Sequence, residues 1–360
     1  MVVSAQGFCT VANRIIDIDG SLGEGGGQVL RTSVGLSSAL GVCVRLTNIR
    51  AGRPKSGLRA QHVAAVKAAA EICGAELSGA KLGSGELTFR PGQVRRGRYR
   101  FDIGTAGSTT LVLQTVIPAL MLSDGASQVT VTGGTHNPKA PCFEYLRDVF
   151  GVLASAANLQ AYFELKRAGF APAGGGKVTM QIQGLGRIEN VAPLRLSSRG
   201  ELKYIEGVSS ASDSLPAPVG DRQATAALRR LAAAGRQATI EQACPQTDSP
   251  GTALFLRAVF SRTVAGFSAL GGRGGTQEGA ADRAVDGLLD FLDAAGVVDA
   301  HAADQLLTIA GICCEESSFA TSKVTSHLLT NAEVIRRVTG REVIVQGAPG
   351  RPGEVIVSER

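Results

Sequence analysis

Apolar and polar positions follow two rhythms along this chain, and the rhythms recur in order. RIIDIDG (14–20) alternates with a period of two; a glycine-rich turn and a helix-length apolar run follow in GEGGGQVLRTSVGLSSALG (23–41). YRFDIG (99–104) leads in the same way into GTAGSTTLVLQTVIPALML (104–122). Each copy is then followed by an alternating stretch, CVRLTNIR (43–50) and QVTVTGG (128–134). Period two reads as a half-buried strand and the longer runs as helices. HVAAVKAAAEICGA (62–75) adds a second helix before the alternating ELTFRP (86–91). A third copy is expected near the C-terminus, in ADQLLTIAG (303–311), SHLLTNAEVIRRVTG (326–340) and REVIVQG (341–347). The expected class is α/β (α+β), with about three repeated β-α-β-α-β-β-like units whose sheets bury one face under helices.

The middle of the chain breaks the repeat. ELKYIEGVS (201–209), DRQATAALRRLAAAG (221–235) and QATIEQA (237–243) read as strand, helix and strand, followed by the turn PQTDSPG (245–251) and more alternation. The expected organisation is a tail over 1–15, a repeated-unit domain over 16–193 plus 279–360, and a small α/β domain inserted over 194–278.

The remaining totals narrow the function class. At 360 residues with 44% hydrophobic and 19% charged positions, the chain can bury a large core and is not a disordered polymer. The net charge of +6 favours an anionic partner. With 4% aromatics and no Trp, a surface that binds by base stacking is poorly supplied. Seven cysteines without a CxxC spacing read as mostly buried apolar residues in a reducing compartment. No secretory signal or bilayer-length apolar run is present, so the expected location is cytoplasmic.

Two glycine-rich turns opening helices offer backbone N–H groups to an anion. Neither is a P-loop, because GxxxxGK[ST] is missing, and GEGGGQ does not match the dinucleotide spacing. RAGRPKSGLRAQH (50–62) gathers Arg50, Arg53, Lys55 and Arg59 just ahead of a helix, and guanidinium forks suit phosphate. Of four histidines, His327 lies in a polar turn entering a helix, where a neutral imidazole can be a nucleophile toward phosphorus. Glu24 is the odd residue, a carboxylate inside a turn otherwise suited to phosphate.

Taken in order, DGSLGEGGGQVLR, IRAGRPKSGLRAQH, GTAGSTTLVLQT, TGGTHNPKAPCFEYL, GFAPAGGGKV, ADQLL and SHLLTN resemble the RNA 3′-terminal phosphate cyclases from Ile16 onward. The resemblance implies ATP-dependent conversion of an RNA 3′-phosphate to a 2′,3′-cyclic phosphate, through a histidinyl-AMP and an RNA-(3′)pp(5′)A intermediate. It implies His327 as the AMP-accepting nucleophile, with Asp304 orienting its ring by a hydrogen bond. Gln114, Pro141, His301, Asp304 and Gln305 would contact the nucleotide. Glu24 would hold a divalent metal, Mg2+ or Mn2+. Arg31, Arg50, Arg53, Gln61 and His62 would grip the RNA end. His301 departs from the aromatic or apolar residue expected there. Partners on this reading are ATP and an RNA 3′-phosphate end, with no membrane. The alternatives are a non-catalytic cyclase-like RNA-binding protein of ribosome assembly, whose kind lacks the SHLLTN histidine, and an enolpyruvyl transferase sharing the repeat architecture.

Overall fold

In the computed structural model the described residues are 15–216, 218–271 and 277–359. The expected tail, apart from Ile15, lies outside them. The first unit runs Ile15–Asp19 (β1), Gly27–Leu40 (α1), Cys43–Thr47 (β2), Ala60–Cys73 (α2), Glu76–Ser78 (β3) and Leu87–Arg90 (β4). β2 pairs in parallel with β1 and antiparallel with β4, giving the order β1-β2-β4-β3. The second unit repeats the scheme with Arg98–Asp102 (β5), Thr109–Met121 (α3), Ala126–Gly133 (β6), a helical stretch 143–157 (α4), Gln160–Arg167 (β7) and Gly176–Gln183 (β8). Its order, β5-β6-β8-β7, is the same.

The third unit opens with the two-residue strand Arg195–Leu196 (β9), and the chain then leaves it. A separate four-stranded sheet follows, built from Leu202–Ala211 (β10), Thr239–Ala243 (β11), Thr252–Phe260 (β12) and Val264–Gly271 (β13), with helices Pro218–Ala233 (α5) and Gln277–Asp293 (α6). The third unit resumes with Ala300–Ile312 (α7), Ser317–Thr321 (β14), Ser326–Thr339 (α8), Val343–Gln346 (β15) and Gly353–Val357 (β16). β9 pairs in parallel with β14, so this sheet, β15-β16-β14-β9, has the connectivity of the first two read from its other edge.

Patterning ends the small unit at 278, but α6 packs beyond that point on the small sheet. Ala280, Ala284, Leu288 and Phe291 share its core with Leu256 and Ala265. Their spacing makes one apolar stripe, and a stripe does not name the sheet that will cover it. Among the described cysteines, Cys73, Cys142 and Cys313 are buried, Cys43 and Cys314 half-buried and Cys244 exposed. No helix among the described residues is long and apolar enough to cross a membrane.

Helices α1 and α3 lie at the centre of the large core and cross closely: a Cβ at Gly35 would meet the carbonyl oxygen of Thr115 at 2.9 Å. Every residue of α1 except Gly27 and Arg31 is buried, and every residue of α3 except Gln114. A helix surrounded by protein opens only where a cavity meets it, and these openings locate the cleft.

Candidate functional site

A cleft of about 1390 Å³ lies among the helices of the three repeated units, and residues Gly266–Leu270 of β13 with Arg283 and Gly287 of α6 form its remaining wall. Every site residue implied by the resemblance lines it, whereas Lys55 of the basic cluster does not. Glu24 hangs in the turn between β1 and α1, flanked by Gly23 and Gly25 at φ +56° and +54°, a conformation side-chain-bearing residues rarely adopt. Gly27 follows at the start of α1, where an added Cβ would collide with the His62 ring and the Arg31 guanidinium.

His327 stands in the first turn of α8, whose N-terminus Thr325 caps by accepting from Leu328 N at 3.0 Å. Its ring is held from both sides. Nδ1 lies 2.5 Å from Oε1 of Gln28, and Nε2 lies 3.0 Å from a carboxylate oxygen of Glu24. The Gln28 amide also donates through Nε2 to Oδ1 of Asp304. With its NH2 committed to a carboxylate, Gln28 can offer only its carbonyl to the ring, so Nδ1 carries the proton. Nε2 is then the nitrogen that faces the cleft, where a proton on it would be donated to the Glu24 carboxylate.

The direct bond from Asp304 to the His327 ring expected from the resemblance is not made: Gln28 stands between them. Asp304 is fixed further by Asn331, which donates to its backbone oxygen at 2.8 Å and accepts from Thr32 at 2.7 Å. Burial pushes the Asp304 carboxyl above its ordinary range, against the opposing pull of His327 and Gln28.

Beside this relay, Gln114 donates to Gln305 at 2.6 Å, joining α3 to α7. His301 is exposed at the start of α7, edge-on to the Tyr145 ring with centroids 6.4 Å apart. Asp299 caps that helix and accepts from the Tyr145 hydroxyl at 2.6 Å. Pro141 offers its carbonyl to Thr110 at 2.8 Å. In the loop ahead, Asn137 Oδ1 is buried without a donor.

The cations converge from the other side. Arg53 approaches Glu24 at 3.4 Å. Arg31 opens to the cleft yet is crowded by protein, and this desolvation lowers its guanidinium to about 10, with Asp304 opposing. Arg50 turns back on its own loop, donating to the carbonyls of Lys55 and Gly57 at 2.5 and 3.0 Å. Gln61 accepts from Ser108 N at 3.1 Å and so ties α2 to the glycine-rich turn before α3. His62 is buried, and its Nδ1 accepts from Arg59 N at 3.1 Å. Burial first, then the charges of Arg31, Arg50 and Arg59, lower the His62 ring to about 3, so it is a neutral donor through Nε2.

Two residues of this arrangement, Gln28 and Asn331, had escaped the sequence reading. Gln28 lies in the quoted glycine-rich block, and its i+3 and i+4 neighbours, Arg31 and Thr32, share its helix face. Asn331 stands four residues after His327 and so on the same side of α8, a spacing visible in SHLLTN. Arg59, already named in the basic cluster, stands at the N-terminus of α2.

Fold and cleft together define a protein of three like sheet–helix units around a histidine flanked by carboxylates and arginines. The chain belongs to the RNA 3′-terminal phosphate cyclase family, whose model matches residues 22–345. It is 44% identical over 330 residues to an RNA 3′-terminal phosphate cyclase of Methylococcus capsulatus, covering 90% of this chain and 91% of the relative. The protein of that name from Trichormus variabilis is 41% identical over 330 residues, 90% of this chain and 94% of the relative. That from Hyperthermus butylicus is 39% identical over 337 residues, 91% and 93% of the two chains.

Proposed function

We propose that the protein cyclises the 3′-phosphate end of RNA at the expense of ATP, carrying AMP on His327. The observation that supports this most is the relay Asp304–Gln28–His327, which holds the ring by Nδ1 and turns Nε2 toward Glu24 and an arginine-rich cleft; a cation on Glu24 would leave the Nε2 lone pair free. Such a nitrogen attacks the α-phosphorus of ATP; the new N–P bond forms as the bond to pyrophosphate breaks. A terminal 3′-phosphate oxygen of RNA then takes the AMP, and the N–P bond breaks. The ribose 2′-oxygen, losing its proton, closes on the terminal phosphorus, and AMP departs. Asp304 and Gln28 hold the ring, and Arg31, Arg53 and neutral His62 stabilise phosphate charge as it shifts.

A divalent ion borne on the triphosphate fits Glu24. Mg2+ in such sites needs only one or two protein carboxylates, the phosphates and waters supplying the rest. When bound, it would neutralise phosphate charge that Glu24 alone repels. Gln114, Gln305, Pro141 and His301, which line the cleft, would contact the nucleoside, and Asn137 Oδ1 would offer it an acceptor.

With α-labelled ATP and a divalent ion, the wild type becomes labelled, and His327→Ala does not while keeping its fold. Labelling of that variant sinks the assignment of the nucleophile. If 3′-phosphorylated RNA stays sensitive to phosphatase after incubation with wild type and ATP, the binding-protein reading takes its place.

A further inference from the structure

Each of the three repeated sheets turns one face to its helices and the other to solvent, and the three outer faces differ in charge. That of the first sheet carries Asp17, Asp19 and Glu76 against Arg45 and Arg90, and Arg45 is paired with Asp17 at 2.5 Å. The third carries Arg195 against Glu354. The second presents Arg98, Arg100, Lys166 and Lys177 against Asp102 and Glu164, and Glu164 is already paired with Lys166 at 2.6 Å. Arg98, Arg100 and Lys177 have no carboxylate partner among the described residues.

This cationic face is shaped as well as charged. A groove of about 510 Å³ runs over it between Arg100, Lys166 and Lys177, with Asp102 as its one carboxylate, and is floored by the hydroxyls of Thr130, Thr132 and Thr179. Register places Arg100 opposite Thr130 and Thr130 opposite Thr179, so the floor is continuous across three strands. Tyr162, 62% exposed, stands on the same face. The groove also leads somewhere. β5 ends at Asp102 and β6 at Gly133, and the chain beyond each enters the cleft wall, through Thr105 and Gly107 in one case and Asn137–Pro141 in the other.

We propose that this outer face is a track for the RNA strand upstream of its 3′ end, gripped through phosphates and steadied by one base on Tyr162. This rests on the reading of the cleft as a site for an RNA 3′-phosphate. The grip is electrostatic and therefore indifferent to base sequence. It agrees with a chain poor in aromatics, because one exposed tyrosine cannot supply a stacking platform. Protein or lipid partners are less well matched: the face has hydroxyls and cations but no apolar patch to bury.

The test compares a 3′-phosphorylated RNA trinucleotide, which fills only the cleft, with a 3′-phosphorylated oligomer of roughly fifteen nucleotides, which reaches the face. Binding is read by fluorescence anisotropy over a salt series, for wild type and Arg100→Glu/Lys177→Glu. Wild type is expected to bind the longer RNA more tightly. The double variant should lose about tenfold or more in affinity for it, with a shallower dependence of log K on log salt by roughly 0.7 for each phosphate contact removed. Trinucleotide binding and labelling by ATP should be unchanged, which also shows that the variant is folded. Equal binding of the longer RNA by variant and wild type overturns the track, as does equal loss for both RNAs. Loss confined to sedimentation with phosphatidylserine vesicles, with RNA binding intact, overturns it in favour of a membrane. If wild type binds neither RNA, the cyclase reading itself fails.

Discussion

Gln28 decides which nitrogen of His327 can react. It accepts a hydrogen bond from Nδ1–H and donates through its own amide to Asp304, while Glu24 meets the ring on its other side. Loss of a side chain that orients a reactive imidazole typically costs about 10–100-fold, and Gln28→Ala should slow His327 labelling by that much. Gln28→Glu sets a carboxylate against the ring, which raises its affinity for a proton, so labelling should begin at higher pH. An unshifted pH profile would count against the relay. His62 gives a second test at this scale. Its folded ring protonates at about 3 against an ordinary 6.5, so the unfolded chain binds the proton first as pH falls. Stability should therefore drop below about pH 6.5, by about 2 kcal/mol between pH 7 and pH 5 from this group. Urea unfolding of His62→Gln should show a pH dependence smaller by that amount; an identical dependence would disprove the neutral assignment.

Elements bring these residues together through their ends. Glu24 and Gln28 lie at the start of α1, His62 at the start of α2, His301 at the start of α7 and His327 at the start of α8. Those turns were legible, because glycines and a Ser or Thr before an apolar run mark a helix start. The closing ends were harder to read. Arg341, just past α8, is buried and donates to the carbonyls of Ala310 at 2.8 Å, Cys313, Glu315 at 2.8 Å and Ser358. It thereby satisfies the last carbonyls of α7 and ties them to the strand end after β16. In sequence it is one arginine among many, since nothing local says that its partners lie 17 to 31 residues away. Arg341→Met should lower stability by about 3 kcal/mol or more, because buried acceptors lose a charged donor. A cost below about 1 kcal/mol in denaturant unfolding would show that water replaces it.

At the scale of the molecule, two cores divide the work. The repeated units share one continuous core, and the small sheet with α5 and α6 has its own. The smaller core buries less apolar surface, so it should open separately and at lower free energy. Hydrogen exchange should find the amides of β10 and β12 less protected than those of β6 and α3; one common opening energy for both sets would refute it. Because β13 forms a wall of the cleft and Gly266 N donates to Asp299 at 3.3 Å, a ligand that fills the cleft should raise the protection of β13.

What the chain determined by itself was whatever is written locally: the alternation of strands, the glycine turns before α1 and α3, the recurrence of one unit, and the residue types a phosphate cleft would want. Those signals span only a few turns of helix or a single strand, so they survive without knowledge of the fold. The tertiary structure decided what depends on distant partners. It placed β9 ahead of the small unit and α6 within it, set Gln28 between Asp304 and His327, and turned Arg50 back onto its own loop. It also left one of three similar sheet faces cationic. Hydrophobic periodicity tells a segment which side to bury, but a contact across some three hundred residues is chosen only by the packing that brings the helices together.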